Sequence, residues 1–302
     1  MYKLRAVITT LAIILALFAN TLTGKSALQA AKETVQPTLA TPAEIQSELC
    51  TVPSDNRERE TAMAKLFIQA GATEEEVHRQ AIAQTPTPAA NVYVSKSGRT
   101  DNVIVVGAHI DHVSVGQGVI DDWSGATLVA NIYQALRSLQ TNHTIVFIGF
   151  ASEERGLIGS RAYVAALSTT EKARHKAMFN LECLGVGEAH IWENGSDQRL
   201  AELLHSVATR EKIPLHNHIL HGVSADSNPF RAEQIPALTM DGLPQEQFSY
   251  IHSEKDTCAN VNQAYYYDAY RLAVRYVLEL DRSLAETKIE TGIEMGRDDK
   301  TE

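Results

Sequence analysis

Residues 103–111 read VIVVGAHID, a run of β-branched and small residues that ends in a histidine and an aspartate. A second apolar run, TIVFIGF at residues 144–150, precedes the acidic pair Glu153 and Glu154. Short continuous apolar runs of this kind are typical of strands buried on both faces of a sheet. Between the two runs, residues 124–139 carry apolar side chains at helical spacing. The order strand, helix, strand predicts a sheet whose central strands are parallel.

The same alternation continues along the chain. Residues 91–95 alternate like an edge strand, and residues 57–82 have the composition of helices. Further strands are expected at 178–184, 190–192 and 237–240, and further helices at 156–167, 197–211 and 261–284. Strands that alternate with helices predict an α/β three-layer sandwich, in which helices flank a mostly parallel mixed sheet.

The length of 302 residues allows one large domain or two small ones. The simplest division has a single domain at 55–285 that includes an N-terminal helical part, preceded by a polar linker at 31–54. Residues 286–302 are expected to form a charged tail.

The N-terminus has the pattern of an export signal. Lys3 and Arg5 precede the apolar residues 7–19, so residues 1–30 are expected to be a secretory signal peptide. The alternative is an uncleaved N-terminal anchor, although the apolar run is shorter than the roughly 20 residues that cross a membrane. The protein is therefore expected to be periplasmic or secreted, without a stable membrane partner beyond such an anchor.

Composition excludes several classes of protein. Lys and Arg number 27 against 37 Asp and Glu, for a formal net charge of −10, which disfavours nucleic-acid binding. Three cysteines are too few for a disulfide scaffold or a structural four-cysteine zinc site. Eleven histidines and the surplus of carboxylates leave metal binding through nitrogen and oxygen open.

Imidazoles and carboxylates follow the predicted strands. In α/β sheets the reactive groups collect where strands end and loops begin. The candidates are His109, Asp111, Asp121, Glu153, Glu154, Glu182, His252 and Asp256. Two imidazoles and several carboxylates at one sheet edge suit zinc, and they suit two ions better than one, because a carboxylate can bridge two ions.

Their order along the chain forms a pattern. It consists of His-x-Asp at 109–111, Asp-Asp-x-Ser-Gly at 121–125, Glu-Glu-x-Gly-Leu-x-Gly-Ser at 153–160, Asn-Leu-Glu at 180–182 and His-Ser-x-x-Asp-Thr at 252–257. This pattern resembles the co-catalytic zinc aminopeptidase family of the aminopeptidase Y type, which includes the glutaminyl cyclases. The resemblance implies a zinc exopeptidase-like fold, two zinc ions per chain and peptides with free N-termini as substrates.

The resemblance also implies a role for each matching residue. His109 would bind one zinc ion, Glu154 and His252 the other, and Asp121 would bridge both, with a cis peptide bond to the next residue. Glu182 stands where the family usually has aspartate and would be a further ligand. Glu153 would be the general base.

Four further residues have supporting roles in this interpretation. Asp111 would orient the ring of His109, and Asp256 would do the same for His252. Tyr250 is a candidate for oxyanion stabilisation, displaced by one residue from the family position at Ile251. Asp226 is a candidate for the substrate pocket.

The cysteines and a group of histidines leave alternatives open. Since Glu182 and His252 would approach one metal pair, Cys183 and Cys258 come into consideration as a disulfide, which would leave Cys50 unpaired. The histidines at 216, 218 and 221 are either a metal site or, as we favour, an exposed polar strand face.

Two other functions compete with an exported aminopeptidase. A glutaminyl-peptide cyclase of the same fold would form pyroglutamate and bind one zinc ion. A non-catalytic binding domain would keep the fold without the metal.

Overall fold

A computed structural model describes residues 36–295 except residues 84 and 86. The predicted signal peptide or anchor at 1–30 lies outside the described residues. The strands are β1 His78–Ile82, β2 Ala89–Lys96, β3 Thr100–His109, β4 His143–Phe150, β5 His175–Glu182, β6 Ala189–Trp192, β7 Leu215–His218 and β8 Ala237–Asp241. The helices are α1 Pro42–Leu49, α2 Asn56–Gln69, α3 Ser124–Leu136, α4 Ile158–Ala165, α5 Thr169–Arg174, α6 Gln198–Glu211, α7 Ser227–Ala232 and α8 Gln263–Met295.

The strands of the described ranges form one eight-stranded sheet in the order β1-β2-β4-β3-β5-β8-β6-β7. Strands β4, β3, β5 and β8 pair in parallel, whereas β1 and β2 pair antiparallel at one side and β6 pairs antiparallel with β8. The predicted α/β fold with a mixed sheet is therefore confirmed. The strand predicted at 91–95 is not at the edge, because β1, within the segment predicted as helical, covers it.

Helices cover both faces of the sheet. Ile104 and Val106 on β3 belong to the larger core, which α1, α2, α3, α6 and α8 share. Val105, whose side chain points to the opposite face, packs in a second core with Val164 of α4 and Phe230 of α7. The β-branched run at 103–106, which predicts a strand buried on both faces, therefore contributes side chains to both cores.

The predicted linker at 31–54 contains a helix, which corrects that prediction. Helix α1 begins at a capping box formed by Thr41 and Glu44, and its residues Ile45 and Leu49 are completely buried. Two large apolar side chains four residues apart form one helical face, and that face docks on the core. The segment is part of the folded unit.

The disulfide joins Cys50 to Cys258, with their Cα atoms 5.4 Å apart, so the Cys183–Cys258 prediction is wrong. Docking of α1 brings Cys50, which follows that helix, to the segment after His252. Cys183 is a buried free thiol, and burial raises its pKa well above the usual range.

The C-terminal helix extends further than predicted. Helix α8 continues to Met295, so residues 286–295 of the predicted tail are helical, and residues 296–302 lie outside the described part. Among the helices that the structure describes, none is long and apolar enough to cross a membrane.

Candidate metal centre and substrate pocket

The carboxyl ends of the parallel strands bring the predicted site residues together. His109 is the last residue of β3 and Glu182 is the last residue of β5, while Glu153 and Glu154 follow β4. Because these neighbouring strands are parallel, their carboxyl ends meet at one edge of the sheet.

Asp121 lies between two imidazoles. Its Oδ1 is 2.9 Å from Nε2 of His109, and its Oδ2 is 3.1 Å from Nε2 of His252. Glu182 Oε1 is 3.4 Å from the same nitrogen of His109, and Glu154 Oε2 is 3.1 Å from that of His252. The result is two groups of three potential ligands that share one carboxylate.

The chemistry of this donor set fits divalent metal ions. Imidazole nitrogens and carboxylate oxygens are common zinc ligands, and a shared carboxylate suits a pair of ions. Oε1 of Glu154 is buried and has no hydrogen-bond partner among the described residues. Burial raises the pKa of Glu154 to about 7, and the Asp121 carboxylate adds to this, whereas His109 and His252 oppose it. A divalent cation would compensate this crowding of buried negative charge.

Asp111 fixes the turn that carries the acidic pair. Its Oδ1 accepts a hydrogen bond of 2.9 Å from the backbone N–H of Glu153, and its Oδ2 accepts one of 3.3 Å from that of Glu154. Asp111 contacts the ring of His109 as predicted, but through its backbone and not through its carboxylate. Nδ1 of His109 is 3.0 Å from the Asp111 carbonyl oxygen but 3.7 Å from its carboxylate. The Asp111 backbone therefore orients the ring, and its side chain positions Glu153.

Glu153 lines the cavity beside this centre together with four of the five potential ligands, all except His109. Burial raises the pKa of Glu153 to about 9; His109 opposes this, and the carboxylates of Asp226 and Glu182 contribute to it. The sheet edge thus places a carboxyl group, held by its backbone, next to the two ligand groups.

Asp122 connects several backbone segments around the site, a role that the sequence does not indicate. The Asp121–Asp122 peptide bond is cis, as the resemblance implied. The buried Asp122 carboxylate accepts backbone hydrogen bonds of 3.3 Å from His109, 3.0 Å from Gly125 and 3.0 Å from Cys183. It thereby connects the ends of β3 and β5 to the start of α3. Its position beside Asp121 in the Asp-Asp-x-Ser-Gly motif was the available signal.

Asp256 supports Asp121 rather than His252, which corrects the predicted role. Its Oδ1 accepts a hydrogen bond of 2.6 Å from the backbone N–H of Ile120, the residue before Asp121. No hydrogen bond between Asp256 and His252 is found in the described residues. Asp256 therefore ties the segment after His252 to the turn that presents Asp121.

Arg59 is a further residue that sequence reasoning missed. It is completely buried, and its Nε donates to the Pro53 carbonyl at 2.9 Å. Its Nη1 donates to the carbonyls of Gly118 at 3.0 Å and Ile110 at 3.3 Å, and its Nη2 donates to that of Gln117. Burial lowers the pKa of Arg59 to about 10, while carboxylates of the site oppose this shift. No local motif distinguishes this arginine from an exposed one.

Tyr250 does not line the cavity. Its ring lies under the ammonium group of Lys255, at 5.0 Å, whereas Phe248 and Ile251 line the cavity wall. Asp226 is completely buried and is also outside the lining. Burial raises the pKa of Asp226 to about 7, with His109 and the Ser160 hydroxyl opposing.

The histidines of β7 pair with carboxylates. Nε2 of His216 is 2.7 Å from Glu188, and Nε2 of His218 is 2.6 Å from Asp241. The two potential metal groups found among the described residues do not include them. His216 is half-exposed, as expected for an exposed polar strand face. His218 differs from this prediction, because its side chain is mostly buried.

A mixed α/β sheet whose carboxyl edge carries two imidazoles around a shared carboxylate has the architecture of the zinc exopeptidases. The sequence profile described as Peptidase family M28 matches residues 91–277. The chain belongs to that family.

Individual relatives share less than a third of their aligned residues with this chain in the three comparisons that follow. Aminopeptidase YwaD of Bacillus subtilis is 28% identical over 176 residues, which cover 56% of this chain and 39% of that protein. A solved zinc aminopeptidase from Bacillus subtilis superposes with a TM-score of 0.60 at 25% identity, over 65% of this chain and 51% of that one. A glutaminyl cyclase from an Acidobacteriales bacterium shares the fold, with a TM-score of 0.68 at 17% identity over 83% of this chain and 99% of that one. The chain thus spans about two fifths of the first relative.

Proposed function

We propose that the protein is an aminopeptidase that uses two zinc ions to remove N-terminal residues from peptides. The observation that carries this proposal is the position of Asp121, whose two oxygens lie 2.9 Å and 3.1 Å from the imidazoles of His109 and His252. Glu182 and Glu154 complete the two ligand groups. The name of the Bacillus subtilis relative supports the choice of reaction.

Glu153 is the general base in this proposal. Bound zinc would supply the Lewis acidity that polarises the scissile carbonyl and lowers the pKa of water, and its positive charge would favour the ionised form of Glu153 that a general base requires. Glu153 accepts the proton of the attacking water and then donates it to the leaving amine. Asp111 keeps Glu153 in place through the backbone hydrogen bond, so the carboxyl group needs little reorganisation during proton transfer.

The cavity favours substrates with a free N-terminus. The carboxylates of Glu153 and Asp241 line it and belong to neither ligand group, and negative charges of this kind attract a cationic α-ammonium group. The formal net charge of −10 acts in the same direction.

We further propose that the protein is exported. The basic and apolar pattern of residues 3–19 supports a signal peptide. The Cys50–Cys258 disulfide supports an oxidising compartment, because such bonds are rare in reducing ones.

The test uses the purified chain loaded with zinc. We expect release of coumarin from leucyl-aminomethylcoumarin, none from its N-acetylated analogue, loss with 1,10-phenanthroline and recovery with zinc. Equal cleavage of the acetylated substrate would rule out an aminopeptidase. Pyroglutamate formation from a glutaminyl substrate without peptide hydrolysis would support the cyclase, and failure to bind zinc would support a binding domain.

A further inference from the structure

The cavity beside the metal centre has a volume of about 380 Å³ and mostly apolar walls. Its apolar side chains are Trp192, Leu220, Val223, Leu243, Phe248 and Ile251. One carboxylate in the lining, that of Asp241, belongs neither to the two ligand groups nor to the acidic pair. A buried carboxylate in an apolar wall is costly unless it has partners, so the partners of Asp241 decide what else it can bind.

The sheet fixes Asp241 beside the centre. Asp241 ends β8 and is the register partner of Glu182 on β5, so the two residues occupy neighbouring strands about 4.8 Å apart. Its Oδ2 is 2.6 Å from Nε2 of His218, and its Oδ1 accepts a hydrogen bond of 3.1 Å from the backbone N–H of Leu243. His218 in turn stacks on His190 with ring centroids 4.9 Å apart.

These contacts use part of the capacity of the carboxylate. An ionised carboxylate offers about four lone-pair sites, so two partners leave room for a further donor. The fixed position of Asp241 in the cavity wall means that a substrate donor meets it without reorganisation of the protein.

We propose that Asp241 makes the pocket selective for N-terminal residues with an apolar stem and a cationic end, which are lysine and arginine. This inference rests on the proposed aminopeptidase function. The methylene groups of such a side chain pack against apolar walls such as Phe248 and Trp192, and its charged end binds Asp241. Acidic N-terminal residues are repelled by the same carboxylate.

The test compares lysyl- and norleucyl-aminomethylcoumarin, which share the stem and differ in the charged end. With the zinc-loaded full chain we expect kcat/KM to favour lysine. In Asp241→Asn the ratio of lysine to norleucine should fall by about tenfold to a hundredfold, as expected for loss of a charge-assisted hydrogen bond. The matched control is Glu188→Gln, which removes a carboxylate from the same end of the sheet but outside this cavity, and it should leave the ratio unchanged.

A second measurement needs no variant. Lysine hydroxamate and norleucine hydroxamate carry the same zinc-binding group, and we expect the lysine compound to inhibit the wild type at least about tenfold more strongly. Equal or weaker inhibition, or a substrate ratio that Asp241→Asn leaves unchanged, would overturn the inference while leaving the aminopeptidase intact. Failure to cleave any aminoacyl substrate would instead refute the proposed function and the inference with it.

Discussion

The carboxylate of Asp111 accepts a hydrogen bond of 2.9 Å from the backbone N–H of Glu153. This contact crosses from the end of β3 to the turn after β4, so it sets the position of the proposed base relative to His109. Asp111→Ala should lower kcat by about ten- to a hundredfold, the range typical of residues that orient a metal site. Steady-state kinetics at matched zinc content checks this, and wild-type kcat would contradict the positioning role.

Replacement of the proposed base separates catalysis from metal binding. Glu153→Gln should lower kcat by about 10²- to 10⁴-fold, because proton transfer is lost, while the zinc content stays at the wild-type level. The adjacent Glu154→Gln is the matched control and should instead lose zinc, since Glu154 lies in a ligand group. Full activity of Glu153→Gln would refute the mechanism.

The sequence predicts the residues of the site more completely than the residues that hold them in place. Most of the site residues lie at or just after the ends of apolar runs, namely His109, Glu182 and the Glu153–Glu154 pair. A strand pattern followed by a local motif is enough to find such residues. The sequence does not indicate the role of Asp256, because its partner, the backbone N–H of Ile120, is 136 residues away along the chain. The sequence does not indicate the partner of Cys50 for a similar reason, since the docking of α1 follows from tertiary packing of Ile45 and Leu49 and not from any pattern near the cysteine.

Arg59 provides a test of such a long-range support. Its side chain satisfies carbonyls on both sides of the loop between β3 and Asp121, so Arg59→Met should leave buried acceptors without donors. We expect a loss of about 2–4 kcal/mol in the free energy of unfolding and weaker zinc binding. Arg59→Lys should recover less than full stability, because an ammonium group lacks the planar fork of guanidinium.

Urea unfolding and a competitive zinc titration measure these two effects. Exposed Arg199, which pairs weakly with Asp197, offers a control in Arg199→Met. Equal stability of the Arg59→Met and Arg199→Met variants would contradict the proposed role of Arg59.

The Cys50–Cys258 disulfide closes a loop of 208 residues and holds α1 to the segment after His252. Its removal in the Cys50→Ser, Cys258→Ser double variant should lower the free energy of unfolding by about 2–4 kcal/mol, mainly because the unfolded chain gains freedom. Treatment of the wild type with reductant should have a similar effect and should not affect the double variant further. Denaturant titration with and without reductant measures both, and a reductant-sensitive double variant would contradict this pairing.

Asp281 gives a pH-dependent contribution far from the metal centre. Burial raises the pKa of Asp281, but the His143 ring and the backbone N–H groups of Asn142 and His143 outweigh this, so the pKa is lowered overall. Oδ1 of Asp281 is 2.9 Å from Nδ1 of the His143 ring and accepts a hydrogen bond of 2.7 Å from the backbone N–H of His143. These contacts join the middle of α8 to the start of β4.

A pKa that is lower in the folded than in the unfolded state stabilises the protein above the unfolded value, near 3.9, and this contribution is lost as the pH falls through the folded value. Asp281→Asn should therefore reduce the free energy of unfolding by about 1–3 kcal/mol at pH 7, and the difference from the wild type should narrow below about pH 4. Asp268→Asn on the same helix removes a half-exposed pair with Arg271 and should change stability little at any pH. Urea unfolding between pH 7 and pH 3 distinguishes the two, and a difference between Asp281→Asn and wild type that stays constant over this range would mean that the carboxylate charge does not stabilise this junction.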